Sequence, residues 1–263
     1  MANAVLEPSE FLYLLSTLAA TSILGFDNER VFPVDGEERQ SRLGEGFRKL
    51  QEHGWLRPAD QPGQLNLDDA LILMVAVVAN PEAVILTSRN TSATGRELLS
   101  HYLAVQTIVE MSVTAEEKIR LGVVPDLAST VNRIQQGLGL GEGGSTAHFQ
   151  ITLEEETLNQ VQQLAATGQS EQAAAILNRV GLSAEGVSSL CAALESTTSG
   201  GNVAVLSQRG GQVLAGQAVM ILQSPKAAWI ARRSSPKGSM IEVSTLEAGR
   251  ILRFVEGFLK SLA

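Results

Sequence analysis

A single cysteine and three histidines are all that this 263-residue chain offers, outside its carboxylates, for thiol, imidazole or metal chemistry. Cys191 has no second thiol to pair with, so packing must hold the fold, as it does in a reducing cytoplasm. Aromatic residues make up only 4% of the chain, which leaves Leu, Val, Ala and Ile to fill the core. Long apolar runs are also missing. The first, Phe11 to Phe26, is flanked by Glu7, Glu10 and Asp27 in place of a basic n-region, so it does not read as a signal peptide. It is too short and too rich in Ser and Thr to cross a bilayer. The expectation is a cytoplasmic protein with no membrane partner.

Catalytic spacings are absent as well. The chain has no H-E-x-x-H, C-x-x-C, G-x-S-x-G or P-loop, and no two of His53, His101 and His148 are spaced as metal ligands. His53 precedes Gly54 at a helix end, where a cation meets the negative end of the dipole. His101 lies in a strand beside Tyr102 and reads as a packed residue. Cys191, in Leu190-Cys191-Ala192-Ala193-Leu194, reads as a small hydrophobe. Asp68-Asp69 and Glu154-Glu155-Glu156 stand at helix starts, which suits the dipole better than acid–base work. Gly139 to Gly144 matches G-x-G-x-x-G, but a helix precedes it and a polar stretch follows, so it reads as a linker. We expect no catalytic residue, no metal and no cofactor; an enzyme with an unrecognised site is the third-ranked reading.

What the chain does contain is a repeat. Val84-Ile85-Leu86-Thr87-Ser88-Arg89 reads like Ala204-Val205-Leu206-Ser207-Gln208-Arg209, 120 residues later. Helical patterns precede each segment, three more strand-length apolar runs follow it, and a helix closes each half, over 125–138 and 245–262. The fold expected is α+β: an internal duplication with two quasi-twofold halves, each of helices, a four-stranded antiparallel sheet and a closing helix. Residues 1–138 form the first pseudo-repeat with an N-terminal helical extension, 139–152 a Gly-rich linker, and 153–263 the second.

In the first half, helices are expected from Pro8 through Leu18 toward Ile23, over 37–53 and over 68–79, with strands near 82–89, 95–103, 107–113 and 117–124. The third helix is apolar all round and so buried on all sides, although its Ile and Val leave a strand open. In the second half, helices are expected over 153–166, 171–180 and 183–194, and strands near 202–208, 212–223, 226–233 and 239–244. The helix over 37–53, followed by Gly54-Trp55-Leu56 and a short strand at 65–67, resembles the start of a winged helix, so a transcriptional regulator is the second reading. Against it, Arg39, Arg42, Arg48 and Lys49 are balanced by Glu37, Glu38, Glu45 and Glu52, where a groove-reading helix needs a basic face.

Charge singles out two turns. The net charge is −8, which opposes the approach of nucleic acid. Residues 145–201 hold one basic and six acidic side chains, residues 202–263 eight basic and three acidic. The plainer reading is a basic face complementing acidic helices of the same molecule; the sharper one is a docking surface for an acidic partner. Between the third and fourth strands, the first half places Glu110, Glu116 and Glu117, the second Arg232, Arg233 and Lys237. Loops diverge where scaffolds do not, so these six residues are the candidate partner-binding positions. The partner is expected to be another protein, and a homodimer is left open.

The matched segments 84–89 and 204–209, with the closing helices, give the chain a resemblance to the EspG family, chaperones associated with type VII secretion. The resemblance implies a quasi-twofold α+β fold with a central antiparallel sheet and flanking helical bundles. It further implies that loops and the central sheet bind the tip of a helical PE–PPE substrate pair. The helix-rich stretch before residue 64 departs from the family pattern.

Overall fold

The computed structural model describes residues 2–262 except 60, 62–63, 92–94, 141–146, 196–199, 225–226 and 236–237, and no side chain from 90 to 96. The order begins β1 (Asn3–Leu6), α1 (Pro8–Thr17), α2 (Gly36–Glu52), β2 (Leu56–Pro58), β3 (Leu65–Leu67), α3 (Asp69–Ala79). It continues β4 (Ala83–Thr91), β5 (Gly95–Ala104), β6 (Thr107–Val113), β7 (Ile119–Val124), α4 (Leu127–Gly137). Then come β8 (Gln150–Glu154), α5 (Glu155–Ala166), α6 (Ser170–Arg179) and α7 (Ala184–Glu195). The chain closes with β9 (Gly200–Arg209), β10 (Gln212–Gln223), β11 (Ala228–Arg233), β12 (Met240–Thr245) and α8 (Arg250–Lys260).

Ten of these strands form one sheet in the order β1-β7-β6-β5-β4-β9-β10-β11-β12-β8, and β2 and β3 pair by themselves. This corrects the expected four-stranded halves. The fifth strand of each half is an edge strand that precedes the helices: β1 on β7 and β8 on β12, both antiparallel. Both alternate inward and outward. Ala4 and Leu6, and Ile151 and Leu153, are buried, while their neighbours are exposed. Residues 150–152, expected in the linker, are therefore strand. Residues 141–144 of the G-x-G-x-x-G stretch lie outside the described residues.

The chain divides into two compact units. The first comprises Met1–Ile85, Leu99–Thr130 and Leu206–Ala215; the second comprises Leu86–Leu98, Val131–Val205 and Gly216–Ala263. In the first, α1 packs on α2 and α3, and α3 on β6 and β7. Phe11, Leu12, Leu15, Leu50, Leu71, Val75, Val109 and Leu121 have no exposed surface; each such side chain contributes roughly 1.5–3 kcal/mol relative to exposure. Tyr102 is equally buried and donates its hydroxyl to the Leu24 carbonyl at 2.9 Å. In the second unit, Ile151, Leu158, Leu177, Leu190, Trp229 and Val243 form a core with Phe149 stacked on Trp229.

Two helices differ from expectation. α3 is a helix, capped by Asp68, whose carboxylate accepts the Leu71 N–H at 3.0 Å, but it is not buried all round: Ile72 and Leu73 are exposed. α1 stops at Thr17 because Ala19 turns into the left-handed region at φ 54°, so Ile23 is outside it.

The approach of α1 to α2 depends on Gly46. A Cβ there would stand 2.0 Å from the Ser9 carbonyl oxygen. At Gly44, on the exposed side of α2, a Cβ would meet nothing within 4 Å. Gly44→Ala is expected to stabilise the protein by about 0.5–1 kcal/mol through helix propensity. Gly46→Ala, the same change two residues on, is expected to destabilise it by roughly 1–3 kcal/mol. Urea denaturation of both variants checks this; equal shifts of one sign would mean the crossing is loose.

Candidate functional site

The acidic turn joins β6 to β7. Glu116 and Glu117 are exposed there, and Glu117 holds φ at 62°. The turn is tied by Thr114, whose N–H donates to the Lys118 carbonyl at 2.8 Å and whose carbonyl accepts the Glu117 N–H at 3.0 Å. Lys118 reaches Glu7 at 3.2 Å, so the turn is anchored to the start of α1. Glu117 also lines a cleft of about 410 Å³ with Phe26, Arg30, Arg42, Lys49 and Ile119. Lys49 hydrogen-bonds Glu45, which holds the Glu45 carboxyl below and the Lys49 ammonium above their ordinary ranges. Glu110 is not on the turn. It lies mid-strand in β6, in register with His101 of β5, with its carboxylate 3.1 Å from His101 Nε2. Sequence distance placed it near the tip; strand register moves it inward.

The basic turn follows β11. Arg232 and Arg233 are the last two residues of that strand, each with about half its side chain exposed. Both meet carboxylates of their own chain. Arg232 donates to Glu242, its register partner on β12, at 2.7 and 3.0 Å. Arg233 donates to Glu155 at the start of α5 at 2.7 Å. Arg250 of α8 takes the other oxygen of Glu242 at 2.9 Å. Lys237 lies outside the described residues.

The groups read as chemically plain have defined partners. His53 Nδ1 is 2.7 Å from the buried Glu10, and His148 Nδ1 is 3.2 Å from Glu247. Burial, with Glu195 nearby, pushes the Cys191 thiol above its ordinary range, which suits a packing residue and not a thiolate. Among the described residues, no group of three or more His, Cys, Asp and Glu is arranged to hold a metal.

No family model matches the chain, and no curated protein matches it. A solved structure does: the type VII secretion system chaperone EspG5 of Mycobacterium tuberculosis, in complex with the PE25–PPE41 dimer. The two are 14% identical, with a TM-score of 0.68 over 95% of this chain and 92% of that one. The likeness is one of fold, and it extends over nearly the whole of both chains. The chain thus shares its fold with that structure. In addition, no helix among the described residues is long and apolar enough to cross a membrane.

One surface departs from the half-buried pattern of an ordinary strand. β10 was read as an ordinary strand, yet Gln212 through Ala218 are exposed on both faces. Its run Val213-Leu214-Ala215-Gly216 lacks the polar alternation of a half-buried strand, and that was visible in the sequence.

The Glu242 cluster makes a measurable claim. Arg250 is 20% exposed and Arg232 is 49%, and screening weakens the more exposed pair. Double-mutant cycles with Ala are expected to give a coupling of about 1 kcal/mol for Arg250–Glu242 and under about 0.5 kcal/mol for Arg232–Glu242. The reverse order would show that the α8 contact is incidental.

Proposed function

We propose that this chain is a non-catalytic, chaperone-like protein of the cytoplasm that holds another protein, as the EspG chaperones do. The observation that carries this reading is the fold likeness to a chaperone bound to a PE–PPE dimer, over 95% of the chain. The partner is then a helical secretion substrate presented to the sheet and its loops.

We also propose that the scaffold is an internal duplication with a quasi-twofold relation between 1–138 and 153–263, joined by 139–152. The element order supports it. Each half runs strand, three helices, four strands, helix, apart from the β2–β3 hairpin of the first. The sheet order read outward from β4 is 4, 5, 6, 7, 1, and outward from β9 it is 9, 10, 11, 12, 8.

Expression of the tagged full chain in its native host, followed by size-exclusion chromatography, tests the binding reading. A stable co-eluting protein of predominantly helical circular dichroism is expected. Elution alone, at every stage of growth and after mild crosslinking, would overturn it.

The β2–β3 hairpin following α2 supplies the one observation that favours a DNA-binding reading. The cations of α2 argue the other way, because Arg42, Arg48 and Lys49 are each ion-paired to a glutamate one turn away on the same helix. Fluorescence polarisation with random and promoter duplexes at physiological salt is expected to show nothing tighter than the non-specific range of about 10⁻⁶ M. A tighter, steeply salt-dependent complex would favour the regulator.

A further inference from the structure

Six cations are described after residue 202, and five of them are neutralised within the chain. Arg232 and Arg250 meet Glu242, Arg233 meets Glu155, Arg253 meets Glu247, and Lys260 meets Glu256. Arg209 alone among these has no side-chain hydrogen bond or ion pair with a described residue, and it is exposed. It ends β9 at a two-residue turn, Gly210-Gly211, with φ of 56° and 79°. That is the geometry of a tight hairpin with both central residues left-handed. On the other arm of the hairpin Leu214, two places beyond the Gln212 that lies opposite Arg209, is 65% exposed on the same face, and Val213 is 50% exposed on the other. An unpaired guanidinium thus shares a face of the hairpin with one uncovered aliphatic side chain, Leu214.

The chain itself shows what an arginine at this position grips. Arg89 occupies the matching place in the repeated segment, Val84–Arg89 against Ala204–Arg209. Arg89 Nη1 donates to the Gly137 carbonyl, the last residue of α4, at 3.3 Å. Its guanidinium also lies 3.1 Å from where a Cβ on Gly139 would be, so it covers the helix end closely. A helix C-terminus presents unsatisfied carbonyls and the negative end of the dipole, and a cation there satisfies both.

We propose that the β9–β10 hairpin is a docking ribbon for the C-terminal end of an α-helix of a protein partner. Arg209 takes the terminal carbonyls as Arg89 takes those of α4, and Leu214, on the same face of the hairpin, covers the apolar side of the last turn. This rests on the protein-binding reading above and specifies where, and by which chemistry, the partner is held.

Site-specific photocrosslinking in the native host tests it, with benzoylphenylalanine placed singly at 214, at 116 and at 234 in the full-length chain. Crosslinks from 214 are expected to map, by peptide sequencing, to the last two turns of a helix in one partner. Their yield should fall roughly tenfold in Arg209→Glu and recover in Arg209→Lys, a tenfold loss being what one contact of about 1.4 kcal/mol supplies. Melting temperatures of both variants should stay at the wild-type value, since Arg209 supports nothing in the fold. A partner captured from 116 or 234 but never from 214 would overturn the hairpin while leaving the binding reading intact. Crosslinks from 214 to a helix middle, to a loop or to a second copy of this chain would overturn the helix-end assignment. No crosslink from any position would overturn both.

Discussion

A carboxylate with no exposed surface holds the N-terminal unit together. Glu10 is fully buried, and an ionised carboxylate in that position costs several kcal/mol unless its oxygens are satisfied. Both are. Oε2 accepts the Glu7 N–H at 2.7 Å, which closes the first turn of α1, and Oε1 meets His53 Nδ1 at 2.7 Å, at the end of α2. One side chain therefore fixes the start of one helix against the end of the next, where Gly46 lets their backbones touch. The consequences spread outward. Leu6, immediately before this junction, ends the edge strand β1, so the junction sets where β1 meets β7. Glu7 receives Lys118, which ties the acidic β6–β7 turn to the same point. The tip that offers Glu116 and Glu117 is held by contacts made for folding.

The described basic charge after residue 202 is mostly met within the chain. The cluster that reads as a basic module in the sequence meets its own carboxylates: Glu242 takes two arginines, and Glu155 is lent by a helix. The plainer of the two readings of that module, a basic face complementing acidic helices of the same molecule, has direct support in the Arg233–Glu155 pair. Partly exposed pairs of this kind stabilise little, about 0–1 kcal/mol each. They do change what a partner can find. A carboxylate approaching Arg232 must displace Glu242, which is 15% exposed and bound twice. Recognition is cheaper at groups that have nothing to give up, so partner choice is decided by which charges the fold leaves over and not by how many the sequence contains.

The elements were legible where a local pattern sufficed. β6 was read to its boundaries and β10 likewise, because apolar runs between short polar turns have few alternatives. α3 was ambiguous in composition, and its caps decide it: Asp68 before it and Asn80 after it mark eleven residues, long for a strand. The edge strands β1 and β8 were missed because four or five alternating residues beside a helix start resemble the start itself. α1 was read too long because the break at Ala19 uses a left-handed alanine, which no local residue choice signals. α8 begins at Arg250 and not at Thr245, since Thr245 still pairs with Trp229 in the sheet.

Site residues were less legible for a related reason. Strand register and chain reversal, neither of them written locally, decide what each side chain meets. Glu110 lies within six residues of Glu116, yet its effective neighbour is His101 on another strand. Arg233 and Glu155 are 78 residues apart and share one ion pair. A duplicated order of elements sharpens this point. If the two halves were read only as copies, Arg89 and Arg209 would be given one role. Arg89 has a helix end to cover, because α4 stops beside it at Gly137, while Arg209 meets no described partner. Two arginines at like places in similar segments thus meet different surroundings, one clamping a helix end and the other with no described partner, and only the packing tells them apart.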